Sequence, residues 1–159
     1  MTEDLTTRED ADHTDEEYAP STWKWVRDQI AEYEASGGTR ANTLRESGRP
    51  IIVVTMRGAR TGKIRKIALM RIERNGAYAL VASKGGDPRH PGWYHNLLAH
   101  PDEIRLQDGP EPFDVVVREV HGEERQAWWE LAVQAYPPYA DYQRKTDRTI
   151  PVLVAAPRK

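Results

Sequence analysis

The dipeptide Asn75-Gly76 is the feature of this 159-residue sequence that most constrains how the chain can fold. Both residue types tolerate positive φ, and the type I′ two-residue turn of a β-hairpin requires positive φ at both positions. The flanking stretches, residues 64–74 and 77–83, are predicted as strands because apolar residues recur along both of them. The sequence therefore predicts an antiparallel pair of strands joined by this dipeptide.

Other strand-like stretches lie on both sides of this hairpin. The apolar segment "PIIVVTM" predicts a strand over residues 50–56. Further strands are predicted over residues 103–107, 112–120 and 150–155. Short turn signals separate these stretches, as in an all-antiparallel arrangement, so most of the chain is expected to form one sheet.

Helical periodicity is confined to three segments. The first is predicted to begin at the cap Ser21 and to end at Gly37-Gly38, with an apolar stripe made of Trp23, Val26, Ile30 and Tyr33. The other two are predicted over residues 93–99 and 123–136, whereas residues 84–92 and 137–147 are predicted as irregular. Several antiparallel strands with few helices predict an α+β, mainly β fold: a small barrel with helices packed outside it.

Residues 1–20 differ in composition from the rest of the chain. They contain eight acidic residues, one arginine and few apolar residues, so we predict a disordered acidic tail followed by a single domain over residues 21–159. The sequence has no cysteine, which excludes disulfides and thiolate chemistry. It also has no apolar run of roughly 18 residues and no signal-peptide pattern. These features predict a cytoplasmic protein and leave association with a membrane surface open.

A concentration of positive charge follows the first strand of the hairpin region. Five of the ten residues in "RGARTGKIRK", residues 57–66, are basic, in a chain whose net charge is −2. The segment is not a P-loop, because three residues instead of four separate Gly58 from Gly62-Lys63 and a strand follows instead of a helix. Glycines nevertheless allow backbone N–H groups to approach an anion, and Arg60, Lys63 and Arg65 can add charge-assisted hydrogen bonds.

A second glycine-lysine turn, residues 83–86, follows the next predicted strand. Its position at the same sheet edge favours a single anion-binding pocket formed by both turns. A solvated basic hairpin is the alternative that charge alone allows, and the local character of the charge argues against a nucleic-acid surface.

Two further sets of residues are candidates for a metal-binding or ligand-binding site. His90, His95 and His100 are spaced by five, which does not place them on one helix face, so they are interpreted as surface or structural residues. Tyr136, Tyr139 and Tyr142 follow one another in "YPPYADY". They can close the end of a barrel, or their hydroxyl groups can border a flat ligand, and sequence alone favours neither.

Three segments taken together resemble the deazaflavin (coenzyme F420)-dependent nitroreductase and quinone reductase family, many of whose members come from actinobacteria. They are "GARTGKIRKIALM", "VASKGGDPRHPGWYHNL" and "YPPYADYQRKTDRTIPVLV", in consistent order over roughly residues 40–159. The resemblance implies a flavin-reductase-like split β-barrel of antiparallel strands with flanking helices. It also implies reduced coenzyme F420, which carries an anionic phosphodiester and oligoglutamate tail, as the cofactor.

By the family pattern, the residues that border the coenzyme are Ala59, Arg60, Thr61, Arg65, Lys66, Ile67, Ala68, Leu69, Met70, Val81, Ala82, Ser83, Lys84, Gly92, Trp93, Tyr94, His95, Asn96 and Tyr139. Within this set, Arg60, Arg65 and Lys84 are expected to hold the phosphate and the tail, and Trp93 is expected to flank the ring system. Tyr136, Tyr139 and Tyr142 are the candidate catalytic residues on the acceptor side, with no reason to single out one as the proton donor. No metal is implied.

The resemblance implies hydride transfer from reduced F420 to an electron-poor acceptor, either a quinone or a nitro compound. Met70 stands where the nitroimidazole-activating member of the family has tyrosine, which argues against that drug class. Two alternatives stay open: a related split-barrel oxidoreductase that uses flavin mononucleotide, and a non-catalytic deazaflavin carrier.

Overall fold

The computed structural model describes residues 24–44 and 47–158. The predicted cap Ser21 and the predicted acidic tail, residues 1–20, lie outside the described residues. Four α-helices are present in the described part of the chain: α1 (Lys24–Ala35), α2 (Gly92–Ala99), α3 (Gly122–Ala135) and α4 (Pro138–Arg144). The predicted ends of the first three helices agree with these bounds to within about two residues wherever the end is described.

In the part of the chain that the structure describes, eight strands form one antiparallel sheet. They are β1 (Thr43–Leu44), β2 (Arg49–Arg57), β3 (Ile64–Met70), β4 (Glu73–Arg74), β5 (Ala77–Val81), β6 (Ile104–Gln107), β7 (Pro112–Val120) and β8 (Val152–Pro157). The hydrogen-bonded order is β1-β2-β6-β7-β8-β5-β4, and β3 pairs with the second edge of β2. Asn75 and Gly76 have φ values of 55° and 84°, so the predicted hairpin turn joins β4 to β5.

The sheet curls until its two edges meet at one end only. The backbone between β3 and β4 changes its hydrogen-bonding neighbour from β2 to β5. Arg71 N–H bonds to Pro50 O on β2, and Ala79 N–H of β5 bonds to Ile72 O. From this point β3 runs back along β2, whereas β5 continues along β8. Among the described residues no ladder joins β3 to β5, so the barrel is split along this line.

Side chains alternate along each strand and form two apolar layers. Ile52, Val54, Leu80, Leu106 and Leu153 fill the inside of the curled sheet, and Leu97 of α2 joins them. On the outside, Ile30 of α1, Ala132 of α3 and Tyr139 of α4 cover the outward residues of β2 and β5, such as Val53 and Val81. The period-two pattern thus places three helices on one face of the sheet and α2 in contact with the other.

Two sequence-based predictions about these elements are wrong. Residues 64–74 were expected to form one strand, but the structure breaks it at Arg71-Ile72, where the chain changes its hydrogen-bonding neighbour. Residues 137–147 were expected to be irregular, but Pro138–Arg144 is a helix. Proline at the first turn of a helix loses no hydrogen bond, so this pair of prolines ends α3 and also starts α4.

The closed end of the barrel is held by a polar cluster around Asp108. Arg71 Nε lies 3.0 and 2.9 Å from the two carboxylate oxygens of Asp108, and the Tyr78 hydroxyl donates to Oδ2 at 2.6 Å. Burial, together with the hydrogen bond to Asp108, raises the pKa of Tyr78. One carboxylate thus connects the β3–β4 bend, β5 and the β6–β7 turn.

Candidate functional site

The line along which the barrel is split is partly open to solvent. Residues 64–69 of β3 are all half-buried, although the residues Ile51–Val54 of the neighbouring strand β2 are fully buried. Among the described residues β3 pairs with β2 only, so its uniform half-burial indicates solvent-accessible space along its second edge, which faces β5. We call this space the cleft.

The two basic glycine turns flank the cleft at its open end. The first turn, residues 58–63, precedes β3, and the second turn, residues 83–86, follows β5. Since β3 begins and β5 ends away from the Arg71-Ile72 bend, the topology places one turn on each side of the opening. That both turns form one anion-binding pocket stays a prediction.

The first turn is held in shape from several sides. Gly58 N–H bonds to Lys63 O at 2.8 Å, and Gly62, with φ +73°, donates its N–H to Gly58 O at 3.0 Å. The Arg57 guanidinium donates to Gly62 O at 2.8 Å. From α2, the Asn96 side-chain oxygen accepts the Ala59 N–H at 2.8 Å. The turn is therefore a fixed backbone loop and not a loose basic hairpin.

The second turn contains three consecutive residues with positive φ: Lys84 (46°), Gly85 (64°) and Gly86 (86°). Its own hydrogen bonds run from Gly86 N–H to Ser83 O at 2.9 Å and from Asp87 N–H to Lys84 O at 3.0 Å. Helix α4 packs directly on it, and a Cβ atom at Gly86 would lie 2.9 Å from the carbonyl oxygen of Tyr142. Glycine is thus required at this position both for its φ and for space.

This close approach gives a first testable expectation. Gly86→Ala is expected to lower the free energy of unfolding by about 1 kcal/mol more than Gly85→Ala. Both glycines have positive φ, but a Cβ atom at Gly85 would meet nothing within 4 Å. The backbone strain is therefore common to both variants, and the difference measures the contact with α4. Urea unfolding of both variants gives the two values, and equal losses would show that α4 is free to move away.

Arg148 is a functional candidate that sequence analysis missed. Its guanidinium donates to the backbone carbonyls of Ala82, Ser83 and Asp87 at 3.2, 2.8 and 2.9 Å, and it lies 2.9 Å from His90 Nδ1. A single arginine in a polar segment has no periodicity or spacing that reports such contacts. Its position inside the third family-like segment was the only available signal.

The three tyrosines of the "YPPYADY" stretch form one cluster. Their ring centroids lie between 5.1 and 6.3 Å apart, and the hydroxyl oxygens of Tyr136 and Tyr142 are 3.5 Å apart. The hydrogen bond with Tyr136, followed by burial, raises the pKa of Tyr142 to about 12. Burial raises the pKa of Tyr139, whose side chain is only 5% exposed. Since α4 carries two of these tyrosines and packs on the second turn, the cluster lies beside the cleft.

Several residues assigned to the coenzyme by resemblance are also held by contacts within the protein. Lys66 Nζ forms an ion pair with Glu34 of α1 at 2.9 Å, and the Tyr94 hydroxyl donates to Glu119 at 2.6 Å. Burial, followed by this hydrogen bond, raises the pKa of Tyr94 to about 12. Ser83 is 8% exposed, and its backbone oxygen accepts hydrogen bonds from Gly86 N–H and from Arg148.

The remaining predicted residues divide between the two layers and the surface. Ile67, Leu69 and Trp93 pack against the inner layer, and Ala68, Met70 and Val81 belong to or contact the outer layer. Ala59, Arg60, Thr61 and His95 are exposed, whereas Arg65, Lys84 and Gly92 are half-buried and Ala82 is buried.

The histidines were interpreted as surface or structural residues, and two of them pack together. The rings of His90 and His95 lie 6.0 Å apart, whereas His100 approaches Glu103, with Nδ1 3.8 Å from the carboxylate. Within residues 24–44 and 47–158, no group of three or more side chains has the arrangement of a metal site. Over the same part of the chain, no helix has the length and apolar composition to cross a bilayer.

A split barrel that opens between two positively charged glycine turns is the architecture of a protein that binds a flat ligand with an anionic tail. The chain belongs to the F420H(2)-dependent quinone reductase family, whose sequence model matches residues 25–157. This confirms the family resemblance, the fold class, the assignment as an F420H2-dependent oxidoreductase and coenzyme F420 as the family's cofactor.

Individual relatives agree with this membership. An F420H(2)-dependent quinone reductase of Mycobacterium tuberculosis is 39% identical over 112 residues, which cover 69% of this chain and 74% of the relative. A solved structure described as an F420-H2 dependent reductase is 57% identical, with a TM-score of 0.63, over 67% of this chain and 94% of its own. Another, described as a domain-swapped dimer, is 51% identical with a TM-score of 0.67, over 83% and 97%.

The residues around the cleft fit the coenzyme. The half-buried strip of β3 leaves room beside the sheet for a flat ring, and the inner and outer layers supply apolar walls. Gly85, which has positive φ and is exposed, presents turn backbone of the kind that receives phosphate oxygens. Basic side chains at the same turns match the negative charge of the phosphodiester and the glutamate tail.

Proposed function

We propose that this protein reduces a quinone at the expense of reduced coenzyme F420, and that the coenzyme lies in the cleft between β3 and β5. The observation that carries the proposal is the half-buried strip of β3 between two structured cationic turns. The names of the family and of its relatives supply the acceptor class, a quinone. A nitro compound remains the other class that the resemblance implies.

In this proposal, Arg60, Arg65 and Lys84 bind the phosphodiester and the glutamate tail, because they carry the positive charge of the two turns. The backbone of β3 and the side chain of Trp93 flank the ring system and orient it toward the tyrosine cluster. When bound, the reduced coenzyme supplies a hydride to an electron-poor acceptor. The protein contributes the position of the ring, the exclusion of water and a source of protons.

The tyrosine cluster is suited to the acceptor side of this site. A quinone that receives a hydride becomes an oxyanion, which a neutral hydroxyl group stabilises by donating a hydrogen bond or a proton. Because the pKa values of Tyr139 and Tyr142 are raised, both hydroxyl groups keep their protons at neutral pH.

Tyr139→Phe is expected to lower the turnover number with menadione about tenfold while coenzyme affinity stays within about threefold of wild type. The ring and its packing remain, and only the hydroxyl that faces the acceptor is lost. Tyr139→Ala is expected to impair both quantities, because a buried aromatic wall is removed. Stopped-flow oxidation of the reduced coenzyme measures the rates. Unchanged rates in both variants would restrict Tyr139 to a packing role.

The function itself is tested by titration with reduced F420 and with flavin mononucleotide, followed by turnover with menadione. We expect F420 to bind more tightly and menadione to be reduced. Tighter binding of flavin mononucleotide would favour the related flavin-dependent oxidoreductases. Binding of F420 without reduction of any quinone or nitro compound would favour a coenzyme carrier. Placement in the cytoplasm remains a prediction from composition.

A further inference from the structure

Arg148 connects the second turn to the loop that follows it. Its guanidinium reaches Ala82 O and Ser83 O before the turn, Asp87 O after it, and the imidazole of His90. A planar guanidinium has five donors in a fixed fork, so contacts in several directions define its position. Arg148 and Gln143, which binds the Arg148 carbonyl oxygen at 2.8 Å, thereby fix the backbone over residues 82–90 relative to α4.

We propose that Arg148 and neutral His90 form a positioning pair that holds the second turn in the shape in which it binds the coenzyme, so that protonation of His90 weakens coenzyme binding. This inference rests on the proposed location of the coenzyme between the two turns. Neither side chain is required to touch the coenzyme, since the pair acts through the backbone that carries Lys84.

The contact with Arg148 defines the state of the His90 ring. A guanidinium can only donate hydrogen bonds, so His90 Nδ1, 2.9 Å away, must accept and the ring proton must be on Nε2. A second proton on Nδ1 would point at the donor and would place two cations in contact. Protonation of His90 therefore removes one of the contacts that fix Arg148 and adds a repulsion.

The surroundings of His90 oppose its protonation. From α2, the Tyr94 ring packs on it at 4.5 Å and His95 lies 6.0 Å away, while Glu119 of β7 faces the same space. On its own loop, Asp87 directs its carboxylate to Arg89, at 3.4 Å. Burial, then the charges of Arg148 and His95, lower the pKa of His90, and Glu119 acts in the opposite direction.

The sign of the effect on pH dependence follows. The unfolded chain takes up a proton at His90 near pH 6.5, whereas the folded protein does so only at lower pH. The contribution of the pair is thus complete above about pH 6.5 and is lost as the pH falls below that value. Coenzyme binding, which requires the ordered turn, should weaken as the pH falls through the lowered pKa of His90 in the folded protein, and by reciprocity the bound coenzyme should lower this pKa further.

The experiment compares wild type with His90→Gln, whose side-chain amide can accept from Arg148 but does not titrate. His100→Gln is the matched control, because it removes a histidine from outside the cleft. Dissociation constants of oxidised F420 are measured at pH 7.5 and 5.5. We expect wild type and His100→Gln to lose about three- to fivefold more affinity over this interval than His90→Gln. The comparison between variants cancels any titration of the coenzyme itself.

A second measurement needs no coenzyme. Hydrogen exchange of residues 82–90, compared between proteins at the same pH, is expected to be faster in wild type than in His90→Gln at pH 5.5 and equal at pH 7.5. Arg148→Lys, which keeps the charge but cannot span the same carbonyl groups, is expected to exchange fast at both pH values. Exchange in these residues that does not differ between wild type and His90→Gln at pH 5.5 would overturn the positioning role.

The outcomes distinguish failure of the proposed Arg148–His90 pair from failure of the proposed coenzyme site. If F420 binds to none of the proteins at either pH, the proposed function fails, while hydrogen exchange still tests the pair. If F420 binds with the same pH dependence in all three proteins, the pair is refuted and the site stands. If His90→Gln does not fold, NMR titration of His90 in wild type replaces it. A His90 pKa that F420 leaves unchanged would then refute the inference.

Discussion

Lys84→Ala is expected to weaken the binding of reduced F420 ten- to hundredfold, and Arg65→Ala is expected to do the same. Each variant removes a charge-assisted contact to an anionic group, which contributes about 1.5–3 kcal/mol. Lys84 projects from a backbone with φ of 46°, and Arg65 lies on the half-buried strip of β3. Fluorescence titration with the reduced coenzyme gives both dissociation constants.

Arg74→Ala provides the matched control for these two variants. Arg74 is also a basic residue, but it is exposed on β4, at the closed end of the barrel. The substitution removes one positive charge at a position away from both turns, so it should change the affinity for the coenzyme by less than about threefold. The losses at Lys84 and Arg65 should also shrink at high salt, since partly exposed charges are screened. If all three variants bind equally well, the basic turns are solvated loops.

Asp108→Ala is expected to lower the free energy of unfolding by about 2–3 kcal/mol. The substitution leaves Arg71 and Tyr78 without the carboxylate that accepts both of their hydrogen bonds. The Asp108 side chain is 18% exposed, but that of Arg71 is 38% exposed, and water can replace part of what Arg71 loses. The substitution should therefore destabilise the closed end of the barrel.

Asp114→Ala tests whether any aspartate in an ion pair would have this effect. Asp114 pairs with Arg105 at 3.1 Å, and their side chains are 52% and 61% exposed. Exposed pairs contribute about 0–1 kcal/mol, so this variant should resemble wild type in urea unfolding. Equal losses in the two variants would contradict the assignment of Asp108 as the residue that holds the closed end together.

Most of the fold could be predicted because its signals are local. The Asn75-Gly76 turn, the strand periodicity and the apolar stripe of α3 depend on neighbouring residues only. The break at Arg71-Ile72 could not be predicted in this way, since its cause is the exchange of β2 for β5 as a neighbour. Helix α4 could not be predicted from Pro137 and Pro138 as helix terminators alone, because proline is also a favourable first residue of a helix.

The site was predictable from charge and from resemblance, but not its internal supports. Two basic glycine turns can be recognised in a sequence, and the three segments that resemble the F420-dependent family link both turns to one coenzyme. The Asn96–Ala59 bond and the contacts of Arg148 join residues that are 37 and 58–66 positions apart. Such pairs have no sequence signature in a single chain, because only the folded topology brings them together.

The open side of the barrel also bears on how this protein avoids aggregation. A strand edge without a neighbour offers its N–H and C=O groups to any other extended chain, and within residues 24–44 and 47–158 no strand pairs with the edge of β3 along the cleft. Lys63 and Arg65 place positive charge at the start of that edge, where charged side chains oppose pairing between copies. The charges suited to an anionic coenzyme thus also keep two open barrels from joining edge to edge.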